Sequence, residues 1–116
     1  MEQMAPSPVL YLASSSPRRR ELLTQLGLPF RMIKPTVDEK PWAAEKPASH
    51  VLRLASEKAR CVFRQTQPKE ESLIIAADTI VVLNDQILGK PTDTHHAFDM
   101  LRKLSDGWHV VITGLC

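Results

Sequence analysis

The run Ser14-Ser15-Ser16-Pro17-Arg18-Arg19-Arg20 gathers hydroxyls and guanidinium groups at what its residue types mark as a helix start. Ser16 reads as the N-cap, whose hydroxyl satisfies a free backbone N–H, and Pro17 as the first helical residue, which has no N–H to lose. All three arginines then fall in the first turn. That is the positive end of the helix dipole, where a cation is disfavoured by roughly 0.3 kcal/mol or more. A helix built for stability alone carries Asp or Glu there. Serine hydroxyls, arginines and unpaired backbone N–H groups in one place make an anion site instead. The same residues also read as solvated arginines with Glu21 as a local partner. A nucleic-acid backbone contact is a third reading, disfavoured because basic residues are not interleaved with aromatics elsewhere.

Asp78 stands between the apolar runs LIIAA and IVVL. An unpaired carboxylate in such a place costs several kcal/mol, so Asp78 needs a cation, a metal or several donors. It reads either as a structural acid capping a turn between two strands or as a functional acid at a strand end, where ligands bind in α/β sheets. Asp38-Glu39 lies in a proline-rich stretch and by itself reads as solvated. Lys58 is placed on the polar side of a long helix. Lys90, in Leu88-Gly89-Lys90-Pro91, is held by turn-forming neighbours. His50, His95, His96 and His109 match no zinc spacing, and Cys61 reads as a small core residue.

The elements that must position these groups follow from hydrophobic period and turn chemistry. Residues 1–8 read as a loose leader, and residues 9–116 as part of a single domain. Residues 9–13 (VLYLA) have the length of a buried strand. A helix from Ser16 turns Leu22, Leu23 and Leu26 inward and stops at Gly27. Residues 30–34 form a second strand and residues 35–47 a loop. A long helix capped by Ser49 buries Val51, Leu52, Ala55, Ala59, Val62 and Phe63. Residues 73–77 and 80–83 are strand-like, and Asn84-Asp85 turns the chain into a hairpin arm at Ile87-Leu88. A helix opening at Thr92 or Thr94 turns Ala97, Phe98, Leu101 and Leu104 inward, and residues 108–113 form a last strand. The alternation argues for an α/β fold, a mixed sheet flanked by helices. The last strand is expected to lack a pairing or covering partner, and an uncovered edge invites association; a homodimer is an assembly open to it.

The bulk numbers bound the rest. A chain of 116 residues holds one domain at most. A net charge of +2 is only mildly basic, which argues against a nucleic-acid partner. No apolar run is long enough for a membrane partner. The N-terminus does not read as a secretory signal, and two cysteines do not make a disulfide framework, so a reducing, cytoplasmic setting is expected.

Five segments in this order, LASSSPRRRELL, VDE, RLASEKA, AADTIVVLNDQILGKP and AFDMLRKLSDGWHVVITG, resemble the Maf family. The resemblance implies an α/β fold related to the inosine triphosphate pyrophosphatases, with a cleft between two lobes. It implies hydrolysis of nucleoside triphosphates to the monophosphate and pyrophosphate with a divalent metal, Mg or Mn. By position, Asp78 becomes the proton acceptor for the attacking water. Ser14, Ser16, Arg18 and Arg19 become phosphate-binding residues, joined by Lys58 and Lys90, and Glu39 and Asp78 the metal contacts. Arg18 and Thr79 resemble the members acting on dTTP and UTP rather than those acting on 7-methyl-GTP, which tend to carry Trp and Gln there. Members of the family are longer, so the chain corresponds to an N-terminal portion, C-terminally truncated. The half that supplies further strands, a helix and a base-selecting glutamine is expected to be missing, which leaves a catalytically impaired nucleotide- or phosphate-binding remnant, or a 7-methyl-GTP pyrophosphatase, as the alternatives.

Overall fold

The computed structural model describes residues 8–89, 93–105 and 107–116. Of the expected leader only Pro8 falls within them, and Lys90 and Thr92 lie outside. The elements run β1 (Val9–Ala13), α1 (Pro17–Gln25), β2 (Arg31–Ile33), α2 (Pro47–Thr66), β3 (Ser72–Leu83), β4 (Gln86–Leu88), α3 (Thr94–Ser105) and β5 (Val110–Leu115). The sheet is mixed, as expected. β1 lies between β2 and β3 and pairs both in parallel, while β4 and β5 pair β3 antiparallel.

β3 is one twelve-residue strand rather than two strands with a turn at Asp78-Thr79. Its first half is bonded by β1 as far as the pair Ala13↔Ala76, and its second half by β5 from Ala77 to Val82. β4 returns against residues 81–83 through Asn84 and Asp85, whose φ angles of 50° and 62° suit the tight hairpin turn that Asn and Asp tolerate. Because β1 has β2 on one side and β3 on the other, its carboxyl end is a switch point. Right-handed crossovers send α1 and α2 to opposite faces there, opening a crevice.

α2 covers one face. Tyr11, Ala13, Val62 and Ala76 form one buried cluster, and Val51, Ile80 and Val82 a second. Several expectations are corrected here. α2 starts at Pro47 behind the N-cap Lys46, so Ser49 lies inside the first turn: proline at the first position sets the boundary. Its buried stripe is His50, Val51, Leu54, Ala55, Cys61 and Val62, while Leu52 and Phe63 are exposed. In α1 only Leu23 is buried, with Leu22 and Leu26 outward. α3 buries no residue, and Phe98 and Leu101 face outward, because none of the described elements packs on its apolar side.

The last strand is not left without a partner. β5 pairs β3 along its length, extended by reciprocal Ala76–Cys116 backbone bonds of 2.8 Å, and α2 packs closely on it at Gly114. A Cβ at Gly114 would lie 2.7 Å from the Val51 carbonyl carbon and 2.9 Å from the Leu52 nitrogen, both backbone atoms. Gly114 is the register partner of Asp78, so its missing side chain lets the helix approach the sheet at that level. Gly114→Val should therefore cost about 3 kcal/mol through overpacking against backbone that cannot turn aside, measured as the shift in a urea unfolding midpoint.

Candidate active site

The α1 start is built as its residues dictate. Ser16 has extended backbone and its hydroxyl accepts from the Arg19 N–H at 3.3 Å, while Pro17 opens the helix and no acid lies in the first turn. Ser14 is buried, and its Oγ accepts from the Ser16 N–H at 3.0 Å. Ser14 N–H also ties back to the Leu12 and Ile33 carbonyls, each at 3.1 Å. The two hydroxyls thus shape the turn that aims the helix start along the carboxyl end of β1.

Arg19 spans the crevice. Its Nη1 donates to the Ala77 carbonyl at 3.1 Å and its Nη2 to Thr79 Oγ1 at 2.9 Å. The Ala77 carbonyl lies one residue beyond the last pairing with β1, so the guanidinium takes over where β1 leaves off. Arg18 is exposed at the same helix start, and it is Arg19 that holds Thr79.

Asp78 and Thr79 point to opposite faces of β3, as successive strand residues must. Asp78 is 5% exposed and faces α2, where Lys58 Nζ meets its Oδ1 at 2.8 Å. Lys58 also pairs Glu39 Oε1 at 3.1 Å, so one ammonium bridges two carboxylates from separate segments. Lys58 does not sit on the polar side of α2. It falls in the stripe Val51, Leu54, Ala55, Lys58, Val62, with its side chain 12% exposed. A lysine at that spacing buries its stem and must meet an acid, a signal the sequence already carries. Asp78 Oδ2 is buried and has no hydrogen-bond partner among the described residues.

Ser14, Ser15, Ser16, Arg19, Glu39, Lys58, Asp78 and Thr79 line one cleft of about 530 Å³, together with Lys34 and the following loop. A larger hollow of about 950 Å³ lies beyond Ser14 and Ser15, over Phe30 and Met32, but holds neither carboxylate. The smaller cleft is the candidate site. Ser14, Ser16, Arg19, Glu39, Lys58, Asp78 and Thr79 are brought together there, Arg18 is exposed and does not line it, and Lys90 lies outside the described residues.

The loop carrying Glu39 is fastened by Arg53 of α2. Arg53 donates to Glu45 through Nε at 2.6 Å and Nη2 at 3.0 Å, to Glu57 at 3.1 Å and to the Lys40 carbonyl at 3.1 Å. Its guanidinium also lies 4.0 Å from the centre of the Trp42 ring, a cation–π contact. Buried His50 places Nδ1 at 3.0 Å from Glu45 Oε1, and the Trp42 N–H donates to the same oxygen at 3.2 Å. This network was not expected from the sequence.

The Arg53 guanidinium, aided by the Trp42 N–H and His50, holds the Glu45 carboxyl at about 2 against a burial effect in the other direction. Because this value lies below that of an unfolded carboxylate, the stabilisation is complete above about pH 4.5 and is lost as pH falls toward 2. Glu45→Gln should remove that part of the acid-unfolding slope, visible in unfolding free energies measured from pH 5 to about pH 2. Lys58→Met should cost about 3 kcal/mol in chemical unfolding by leaving Asp78 buried without its cation, and adding Asp78→Asn should return most of it.

Comparison with known proteins places the chain in a family. Residues 9–116 match the family described as Maf-like protein. The chain is 47% identical over 111 residues to a dTTP/UTP pyrophosphatase of Alkalilimnicola ehrlichii, covering 93% of this chain and 55% of that protein. It is 48% identical over 106 residues to a dTTP/UTP pyrophosphatase of Escherichia coli K12, covering 91% and 53%. A third dTTP/UTP pyrophosphatase, from Ruminiclostridium cellulolyticum, is 47% identical over 108 residues, covering 92% and 54%. The chain spans about half the length of the curated relatives it matches. The chain thus belongs to the Maf family, and its candidate site is the cleft at the carboxyl end of β1, with the arginine helix start on one face of β3 and the Lys58-bridged carboxylates on the other.

Proposed function

We propose that this chain hydrolyses nucleoside triphosphates, dTTP and UTP foremost, to the monophosphate and pyrophosphate. The observation that carries this reading is the Lys58 ammonium set between Asp78 and Glu39, with Asp78 Oδ2 unpartnered, inside the cleft that Ser16 and Arg19 also line. Cations and helix N–H groups suit the phosphates, and a carboxylate oxygen with nothing bonded to it suits a proton.

Water attacks the α-phosphorus as the bond to the α–β bridging oxygen breaks, and pyrophosphate leaves. Asp78 Oδ2 accepts the water's proton. Arg18, Arg19 and Lys58 oppose the negative charge that grows on the phosphate oxygens and the leaving group. Ser14 and Ser16 hold the helix start in place, and Lys90 is assigned to the phosphates by family position.

A divalent cation fits the donor set. Glu39 and Asp78 are oxygen donors already drawn to one cation, the Lys58 ammonium, and Mg²⁺ or Mn²⁺ is commonly held by one or two carboxylates completed by phosphate oxygens. Bound by these two residues, it would supply further charge neutralisation at the phosphates. The preference for dTTP and UTP rests on Arg18 and Thr79 and on the names of the relatives. No helix among the described residues is long and apolar enough to cross a membrane. We place the reaction in the cytoplasm, where thiols such as Cys61 stay reduced.

Purified protein incubated with dTTP, UTP or 7-methyl-GTP and Mg²⁺ or Mn²⁺ should release pyrophosphate from the first two. Asp78→Asn should lower that release by at least about a hundredfold and leave UTP binding within a few-fold. Turnover retained by Asp78→Asn would refute its role, and UTP binding without release by the wild-type chain would replace hydrolysis with nucleotide binding.

A further inference from the structure

We infer that Thr113 is a positioning residue of this cleft: its hydroxyl fixes Thr79, and through Thr79 the Arg19 guanidinium. The inference rests on the phosphate-binding part of the reading above. Thr113 on β5 is the register partner of Thr79 on β3, and their Oγ1 atoms lie 2.9 Å apart. Thr79 Oγ1 also lies 2.9 Å from Arg19 Nη2. Arginine only donates, so Thr79 must accept from it, and one lone pair and the hydroxyl hydrogen remain for Thr113.

The pair matters because Thr79 is exposed. Held only by Arg19, its hydroxyl is free to turn to water, and the guanidinium would keep a single anchor at the Ala77 carbonyl. With Thr113 in place the fork is held at two points. Arg19 lines the cleft, and a guanidinium has five N–H donors, so those not used on β3 remain for an anion. Thr113 is not among the residues lining the cleft and acts from behind it.

The test replaces the hydroxyl and little else. Thr113→Val keeps the β-branched shape that the strand favours, and Thr113→Ser keeps the hydroxyl. Thr113→Val should weaken binding of inorganic pyrophosphate, measured by calorimetry, and raise the KM for UTP, each by about fivefold, the worth of one neutral hydrogen bond. Its kcat should change less than about twofold, because the hydroxyl pair stands behind the guanidinium rather than at the reacting phosphorus. Thr113→Ser should recover most of the affinity, and a Thr79→Ala, Thr113→Val double variant should bind no more weakly than Thr79→Ala alone. Equal affinities for Thr113→Val and wild type would overturn the inference, as would a loss that Thr113→Ser fails to recover. If the wild-type chain binds pyrophosphate but hydrolyses nothing, hydrolysis falls and the binding ratio still decides the role of Thr113. A wild-type chain that does not bind pyrophosphate overturns both.

Discussion

β3 runs on past Ala76, the last residue that β1 pairs, and from there its polar groups need partners supplied by other elements. Two side chains provide them from opposite faces. Arg19 of α1 donates to the Ala77 carbonyl and to Thr79, and Lys58 of α2 meets the Asp78 carboxylate. The Arg19 bond to the Ala77 carbonyl could not form if β1 continued beside β3, because a paired strand would occupy that edge. The end of β1 thus opens the edge that Arg19 fills, while α2 supplies Lys58 across the face.

The other constraints follow from keeping those two side chains in reach. Gly114 lies opposite Asp78 and admits the backbone of α2 at that level, so the helix carrying Lys58 sits close to the sheet. Arg53, three residues after buried His50 on the same helix, draws in the loop from Lys40 to Glu45 and with it Glu39. α2 is thus at once the cover of the core, the source of the bridging cation and the anchor of the second carboxylate. A displacement of this helix would affect all three together.

Much of this was legible in the chain. The Ser16-Pro17 start, β1, the hairpin turn at Asn84-Asp85 and the need of Asp78 for a cation, a metal or several donors all follow from local chemistry. Such features depend on neighbours in sequence. What was misplaced depends on neighbours in space. Asp78-Thr79 looked like a break between strands because a charged residue interrupts an apolar run, yet a carboxylate paired with Lys58 can stay within one strand. Lys58 was assigned to the polar face by residue type, although its spacing from Val51, Leu54, Ala55 and Val62 put it on the buried one. The Glu45–Arg53–Trp42 cluster joins a loop to a helix and has no periodic signature. α3 shows the converse error: Phe98 and Leu101 have amphipathic spacing, but spacing identifies an apolar face without supplying its partner.

The charge pattern of the cleft also bears on the hydrolysis proposed for it. An anion site made only of Arg18, Arg19 and a helix start would hold phosphates but offer no group to take a proton from water. Carboxylates can take that proton, yet two of them beside a triphosphate would repel it. Lys58 addresses both requirements by lying between Asp78 and Glu39 and bonding only one oxygen of Asp78. The ammonium offsets the repulsion toward the ligand, and the second oxygen remains unbonded within the described residues. A bidentate arginine in its place would engage both oxygens of Asp78 and leave no acceptor. A single-point cation on the buried stripe of α2 is therefore better suited to this position than the stronger, forked one used at Glu45.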